Sequence, residues 1–561
     1  MNHKEELEIL CLNPSDQELL PEPLLNHIVH LHRSLEKDRQ LLLKRRHHQQ
    51  QKFDQGELPQ YVQDHPAQLS KWQVAPIPHD LQERRVEITG PINSAKMVIN
   101  MLNPSSAGFP ADMAMLDFED SMCPTWENVL SGVRNYIGVA HRDLTFQQGQ
   151  KTYSLEKTNT AHPMVRVRGL HLDEAHVLVD GEAISAGLFD LVTTAYHTAK
   201  VFLADGVTPK YYVPKCEHFL EARWWNKLFR QTELLLGLEP GTLRVTFLIE
   251  TLTAAYQMEE ILYEIRERAC GLNGGRWDKI FSDIKVLKNH GDRVLGDRAT
   301  IDMKRTWMDN YAKRLIKICH RHGAFAMGGM SAFTPGKDEK TRNFQTEKVR
   351  ADKAREAEIG HDGCWVSHPY FIPIARAEFT HKNQLHVQLP GFPYRPNLLP
   401  QPIGAKTIEG LRTNLRVGIA YMQGWNEGLG CIAFENLMED LATLEISRAQ
   451  TWQWLHHQVT LDGGTQVTPE LIKRLLPEEL QVILSRLQDE GVLSDELTQQ
   501  YERAMQQVQE LFLEKDLYDF FTLHPHAQTY APQGGQYETQ CKGTATSLDR
   551  RSTMEGNSTQ L

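Results

Sequence analysis

The chain has 561 residues and a formal net charge of −11, from 61 Lys and Arg against 72 Asp and Glu. That length exceeds one compact core and predicts a large central domain with flanking pieces, and the acidic balance, with no broad basic face, excludes nucleic acid as an expected partner. No apolar run reaches the ~20 residues that span a bilayer, the start Met1-Asn-His-Lys-Glu-Glu lacks the apolar core of a signal peptide, and Ser558-Thr-Gln-Leu561 is not the Ser-Lys-Leu address, so no membrane and a cytoplasmic location are expected.

Residues 1 to about 85 read as polar helix, with Leu24, Leu25, Ile28, Leu31 and Leu35 at helical spacing. His47 and His48 sit side by side in a basic run there. Adjacent positions point to different helix faces, which makes a poor metal pair and predicts a solvated helix end. The eight cysteines are dispersed, with no Cys-x-x-Cys pair, which argues against a zinc site and a disulfide framework.

From residue 97 short apolar runs alternate with helical patterns. Eight candidate strands follow, at 97–101, 114–117, 164–167, 211–214, 245–249, 270–273, 324–327 and 364–367. Strands alternating with helices predict parallel strands with right-handed crossovers, and eight of them predict a closed (β/α)8 TIM barrel ahead of an open doubly wound sheet. No Gly-x-Gly-x-x-Gly follows the first strand, which weakens a dinucleotide fold. Residues 142–161 read as an inserted β-hairpin and 289–306 as a polar excursion, both outside the barrel. From about residue 403 the pattern is helical, with segments at 407–424, 436–457, 468–489 and 494–512. Residues 526–561 are poor in apolar anchors and are expected to be disordered. The domain boundaries are therefore placed at 1–90, 91–400, 401–525 and 526–561.

The residues that end the strands carry the chemistry. In a TIM barrel the site lies at the C-terminal ends of the strands. Val245-Thr-Phe-Leu-Ile stops on Glu250, and Gly271-Leu-Asn-Gly-Gly-Arg-Trp leads to Asp278 one strand–helix unit later. Two carboxylates side by side there are hard oxygen ligands suited to Mg²⁺. Glu250 alone reads as an ordinary surface acid; the pair, backed by Gly274, Gly275 and Trp277, reads as a site. The second strand ends Asp117-Phe-Glu119-Asp120, the third Arg166-Val-Arg168, the fourth Pro214-Lys215, and the seventh runs into Gly328-Gly329-Met330. Strand alternation turns Arg166 and Arg168 toward the barrel interior or its mouth. Arg166 then serves either as one half of an ion pair with Asp117 or Glu119, or as a cation stabilising developing oxyanion charge. Asp440 follows Asn436 and Glu439, which resemble a capping box, and lies in the first turn of a helix beside its buried stripe. The helix dipole weakens it as a base, so desolvation or a neighbour must compensate.

Long strings resemble the malate synthase family, in its shorter A-type: Arg84-Arg-Val-Glu-Ile-Thr-Gly-Pro91, Asp117-Phe-Glu-Asp-Ser121, Arg166-Val-Arg-Gly-Leu-His-Leu172, Leu248-Ile-Glu-Thr251, Gly271 to Phe281, Arg321 to Met330, Gly360-His-Asp-Gly363 and Asn436-Leu-Met-Glu-Asp440. The resemblance spans about residues 15 to 525. It implies a barrel with an N-terminal helical clasp, a small inserted β region and a C-terminal helical plug. It implies a Mg²⁺-dependent condensation of acetyl-CoA with glyoxylate and hydrolysis of the malyl-CoA formed. By motif, Glu250 and Asp278 match the metal ligands, Arg166 the catalytic arginine and Asp440 the catalytic base. The substrate site takes in Gly275, Arg276, Trp277, Asp278 and Met330, with Cys431 beside the acetyl-CoA thioester. Lys279 stands where many members have tyrosine. A related citrate-lyase β-type chain is shorter and lacks the region carrying Asp440. Monomer and homo-oligomer both stay open.

Overall fold

The computed structural model describes residues 7–11, 13–524 and 527, and the backbone of 546–547. Helix α1 (Glu22–Asp54) buries Leu24, Leu25, Ile28, Leu31 and Leu35. It lies across the outside of the barrel, where the Trp224 indole N–H donates to the Leu35 carbonyl at 3.0 Å and Arg46 Nε to Glu221 at 2.7 Å. His47 and His48 are exposed, as the spacing predicts.

Eight parallel strands close the barrel: β1 (Val86–Pro91), β2 (Met113–Asp117), β3 (His162–Arg166), β4 (Lys210–Val213), β5 (Arg244–Leu248), β6 (Ala269–Asn273), β7 (Phe325–Ser331) and β8 (Gly363–Val366), each hydrogen-bonded to its sequence neighbours and β8 to β1. Six of the expected strands are within about two residues of these at both ends, and a seventh, 324–327, stops four residues short of the end of β7. The first matches none of them. Residues expected as a strand at 97–101 lie in the helix Ala95–Leu102, whose Ser94 side chain caps the Met97 N–H. A short apolar run has no periodicity to separate strand from helix, and Val98, Ile99, Met101 and Leu102 are buried as one helical face. The true first strand escaped notice because it is not an apolar run: its second residue, Glu87, is buried and paired with Arg84, and it ends Thr89-Gly90-Pro91.

The expected hairpin is present as Thr145–Gln148 against Lys151–Ser154. A further small sheet pairs Leu7–Ile9 with Asp173–Val179, which pairs in turn with Glu182–Ser185, and the backbone of Thr546–Ser547 adds to the edge beside Leu7–Ile9. The rest of the 526–561 segment, apart from Ala527, lies outside the described residues. Cys11 is disulfide-bonded, against the expectation of a chain without disulfides. Pairing depends on spatial approach, which dispersed spacing does not reveal.

On the barrel's outer layer lie α2 (Trp277–Val286), directly after β6, and α3 (Glu339–Ile359), between β7 and β8. The C-terminal region packs α4 (Ile408–Asn426) against α5 (Leu441–His456), α6 (Pro469–Asp489) and α7 (Asp495–Phe512) around Leu415, Ile419, Tyr421, Ile472, Val508 and Phe512. Thr407, Thr468 and Ser494 cap α4, α6 and α7 through their side-chain oxygens. The 289–306 excursion is not free of this layer: Trp454 donates its indole N–H to the Leu295 carbonyl at 2.9 Å and Arg298 Nη1 to Ser447 Oγ at 2.8 Å.

The helix expected from 436 begins at Leu441, with Asp440 as its cap residue and no side-chain cap bond. Asn436 does not cap it. Glu435 and Asn436 have φ of 49° and 62° and form the two-residue turn of a hairpin pairing Phe434 with Leu437. Positive φ at both central residues is the hairpin-turn signature that Asn satisfies, and it competes with the capping reading of the same sequence.

Candidate active site

The strand ends meet in a cluster of buried charge. Arg166, the last residue of β3, donates from Nε and Nη2 to the two oxygens of Asp117 at 2.7 and 2.6 Å. Its Nη1 lies 3.4 Å from Glu119 and 3.7 Å from Asp120. Burial pushes the Asp117 carboxyl up, but the Arg166 guanidinium and the hydrogen bonds from Ser121 and the Glu119 N–H together hold the group below its ordinary value. Arg168 turns away. The strand has ended, and its guanidinium binds Asp190 at 2.7 Å and Glu174 at 2.8 Å.

Just past β4, Lys215 takes φ of 52° and points its ammonium into the cluster. Nζ donates to Asp120 and to Asp278 at 2.7 Å each, and lies 3.5 Å from Glu119 and 3.6 Å from Glu250. Its backbone N–H donates to Glu250 Oε1 at 2.8 Å. Burial and the crowding of carboxylates raise Asp278 and Glu119 well above the carboxylate range: for Asp278, Asp120 and Glu250 oppose the pull of Lys215, and for Glu119 the largest neighbour is Asp120.

Glu250 follows β5 directly, and Asp278 stands in the first turn of α2. Gly275 packs closely against Glu250: a Cβ there would lie 3.2 Å from Glu250 Cβ and 3.3 Å from its Oε2, so a side chain would press on that carboxylate. Asp120 Oδ1 and Asn273 Oδ1, both buried in the same pocket, accept no hydrogen bond from the protein. Among the described residues no group of three or more His, Cys, Asp or Glu side chains forms a metal cage. Two hard carboxylates beside an unsatisfied carboxylate oxygen nonetheless fit Mg²⁺, which binds through one or two carboxylates and keeps the remaining positions for water and substrate.

Asp440 reaches this cluster from the C-terminal region. The first free N–H of α5, on Leu441, donates to the Asp120 carbonyl at 3.1 Å, which seats Asp440 beside the β2 loop. Gly430 secures the preceding segment, since a Cβ there would lie 2.3 Å from the Met122 backbone. Burial and the Asp120 carboxylate push the Asp440 carboxyl up to about 7, against the pull of Arg166 and Lys215. Both compensations that a base at a helix N-terminus needs are therefore present. Burial, with Asp440 beside it, pushes the Cys431 thiol up to about 12.

One pocket is lined by Arg166, Glu250, Gly275, Arg276, Trp277, Asp278, Met330, Cys431 and Asp440, so the residues singled out in the sequence converge from both parts of the chain. Family models described as the malate synthase N-terminal domain, TIM barrel domain and C-terminal region match residues 12–63, 163–390 and 405–528. The chain is 43% identical to malate synthase A of Escherichia coli over 494 residues, 86% of this chain and 91% of that protein. It is also 43% identical to malate synthase of Myxococcus xanthus over 519 residues, 91% and 94% of the two chains. The chain belongs to the malate synthase family. It is thus an enzyme of the acyltransferase class.

In and beside this malate synthase pocket, sequence reasoning gave no role to Lys215, Asp120 and Asn273, and considered Glu119 only as a partner for Arg166. Lys215, Glu119 and Asp120 lie two or three residues past a strand end, much as Glu250 does, a position that marks a candidate without telling a site residue from a solvated one. Asn273 ends β6 inside a string read for its glycines.

Proposed function

We propose that this malate synthase condenses acetyl-CoA with glyoxylate in a Mg²⁺-dependent reaction and hydrolyses the resulting malyl-CoA to malate and CoA. The observation that carries this is the meeting of Asp440, raised to about 7, with Arg166 and the Glu250–Asp278 pair in one pocket. Asp440 takes a proton from the acetyl methyl group, a role suited to a carboxylate whose pKa lies near working pH. Arg166, oriented by its two bonds to Asp117, presents Nη1 to the oxygen of the enolate as charge develops there. Glu250 and Asp278 would hold the Mg²⁺, which when bound polarises the aldehyde for attack. The turn at Gly275, Arg276, Trp277 and Asp278, at the N-terminus of α2, offers backbone N–H groups to the glyoxylate carboxylate. Met330 and Cys431 wall the pocket on the β7 and C-terminal sides. Lys215 bridges Asp120 and Asp278 by donating to both, which offsets the repulsion between them.

No helix among the described residues is long and apolar enough to cross a membrane. We place the enzyme in the cytoplasm, with no nucleic acid or membrane partner. The test is release of CoA thiol from acetyl-CoA and glyoxylate. It should require Mg²⁺, vanish with EDTA and return on adding the metal. Full activity in a metal-stripped sample would sink the metal assignment.

A further inference from the structure

The inner face of α3 is made of the wrong residues for a barrel helix. Its buried positions are Gln345, Val349, Lys353 and Glu356, a helical stripe with one apolar member. A helix packed on a sheet ordinarily presents apolar side chains there. A buried Lys–Glu pair is costly to desolvate and is commonly replaceable by apolar residues. These side chains instead address one stretch of backbone. Gly329 donates its N–H to Glu356 Oε1 at 3.0 Å, and its carbonyl accepts from Lys353 Nζ at 2.8 Å. Lys353 and Glu356 bond each other at 3.1 Å. Farther along, Gln345 accepts from the Gly336 N–H and donates to the Thr334 carbonyl, both at 2.9 Å.

The clamped stretch is irregular. The pairing of β7 with β8 slips between Met327 and Met330, so β7 carries one extra residue at Gly328–Gly329. Bulges of this kind re-aim side chains and recur beside active sites. Glu356 sits close against the bulge: a Cβ on Gly328 would lie 2.6 Å from its carboxylate, so a side chain there would displace it. On its other side the bulge abuts the turn at the pocket. Gly274 donates its N–H to the Met327 carbonyl at 3.0 Å, Asn273 Nδ2 donates to the Gly328 carbonyl at 3.2 Å, and a Cβ on Gly329 would lie 3.0 Å from the Gly274 carbonyl oxygen. A Cβ on the next residue, Gly275, would lie 3.2 Å from Glu250 Cβ.

We propose that Lys353 and Glu356 are positioning residues: from outside the barrel they hold the Gly328–Gly329 bulge, and through it the Gly274–Gly275 turn, at the spacing the oxo-acid end of the pocket requires. The inference rests on the malate synthase reading of that pocket. Its test compares two charge-neutral double variants with wild type. Lys353→Met/Glu356→Leu loses both bonds to Gly329. Lys353→Met/Glu356→Gln keeps an acceptor for the Gly329 N–H. A role in packing alone lowers the melting temperature of both and leaves substrate affinities where they were. Positioning makes the glyoxylate KM rise about ten-fold or more in the Leu variant and less in the Gln variant, while the acetyl-CoA KM stays within about two-fold, as expected when a displaced wall disturbs one reactant's placement. Glyoxylate titration by calorimetry should show the same order. Should the Leu variant not purify folded, the Gln variant decides. A glyoxylate KM unchanged in the folded variants, or a parallel rise for both substrates, overturns the proposal. Wild type assayed alongside keeps the two questions apart, because absence of CoA release there refutes the functional reading instead.

Discussion

Two clusters of buried polar residues occupy the same barrel, and they are built on opposite principles. Low in the interior, Arg84 donates to Glu87 at 2.7 Å, to Thr246 at 3.1 Å and to the Tyr212 hydroxyl at 3.0 Å. Glu87 in turn accepts from Tyr212 at 2.6 Å and from the Trp365 indole at 2.8 Å. The circuit closes on itself. At the mouth, Glu119, Asp120, Glu250 and Asp278 crowd one ammonium, Asp120 Oδ1 and Asn273 Oδ1 are left without donors, and three carboxyl groups are pushed upward. Buried polar groups that are fully paired specify a structure, and groups left short of partners await something from outside. The same residue types thus separate into scaffold and site by whether their hydrogen-bonding capacity is spent.

The contrast breaks most visibly at Asp440. Asp440→Asn should lose turnover by about 10²–10⁴-fold, the range for a missing general base. It should keep glyoxylate affinity in Mg²⁺, since neither Glu250 nor Asp278 depends on it. Glu250→Gln should weaken glyoxylate binding first. Calorimetry on the two variants checks this, and equal loss of glyoxylate binding would place Asp440 in the metal site and send the search for the base to Glu439 or Asp117.

Substitution in the lower circuit should do the reverse. Arg84→Met leaves Glu87 buried with a lost partner, which costs about 3–5 kcal/mol of stability. In the protein that remains folded, kcat and both KM values should be close to wild type. Thermal melts and steady-state kinetics read the two effects separately. A turnover loss comparable to that of Asp440→Asn would show that the lower circuit is part of the site after all.

Legibility in the sequence followed the same division. The barrel was readable because buried parallel strands are apolar runs, and the one strand missed, Val86–Pro91, is the one that contributes the circuit's carboxylate, Glu87. A charged second residue, with Thr89, Gly90 and Pro91 after it, leaves no apolar run of the kind that marks the other strands. At the mouth, Glu250, Asp278 and Arg166 were legible from position at strand ends. Lys215 was not singled out, because a lone lysine after a strand looks the same whether it reaches solvent or four carboxylates. Asp440 was found, but its setting was misread: the Glu435–Asn436 turn and a capping box use the same residue types, and only the positive φ of both residues separates them. The polar face of α3 was invisible for a related reason. Lys353 and Glu356 in a helix rich in charge look solvated until the helix is docked.

The mildest test is pH. In its ordinary setting an aspartate ionises near 3.8; burial and Asp120 raise Asp440 to about 7. The base form is the unprotonated one, so kcat/KM for acetyl-CoA should climb about ten-fold per pH unit as pH rises toward 7 and level off above it. A profile flat from pH 5.5 to 8 contradicts the assignment. Stability should move in the opposite direction. A carboxyl group whose folded pKa exceeds its unfolded one binds its proton more tightly when folded, so its contribution falls as pH rises from about 4 to about 7 and is constant beyond. Asp440→Asn removes the titrating group and with it this decline. Its melting temperature, compared with wild type, should therefore gain steadily across that window and hold the gain at higher pH. The variant that loses the most activity becomes the more heat-resistant protein at neutral pH, the trade expected of a charge held in place for chemistry rather than for the fold.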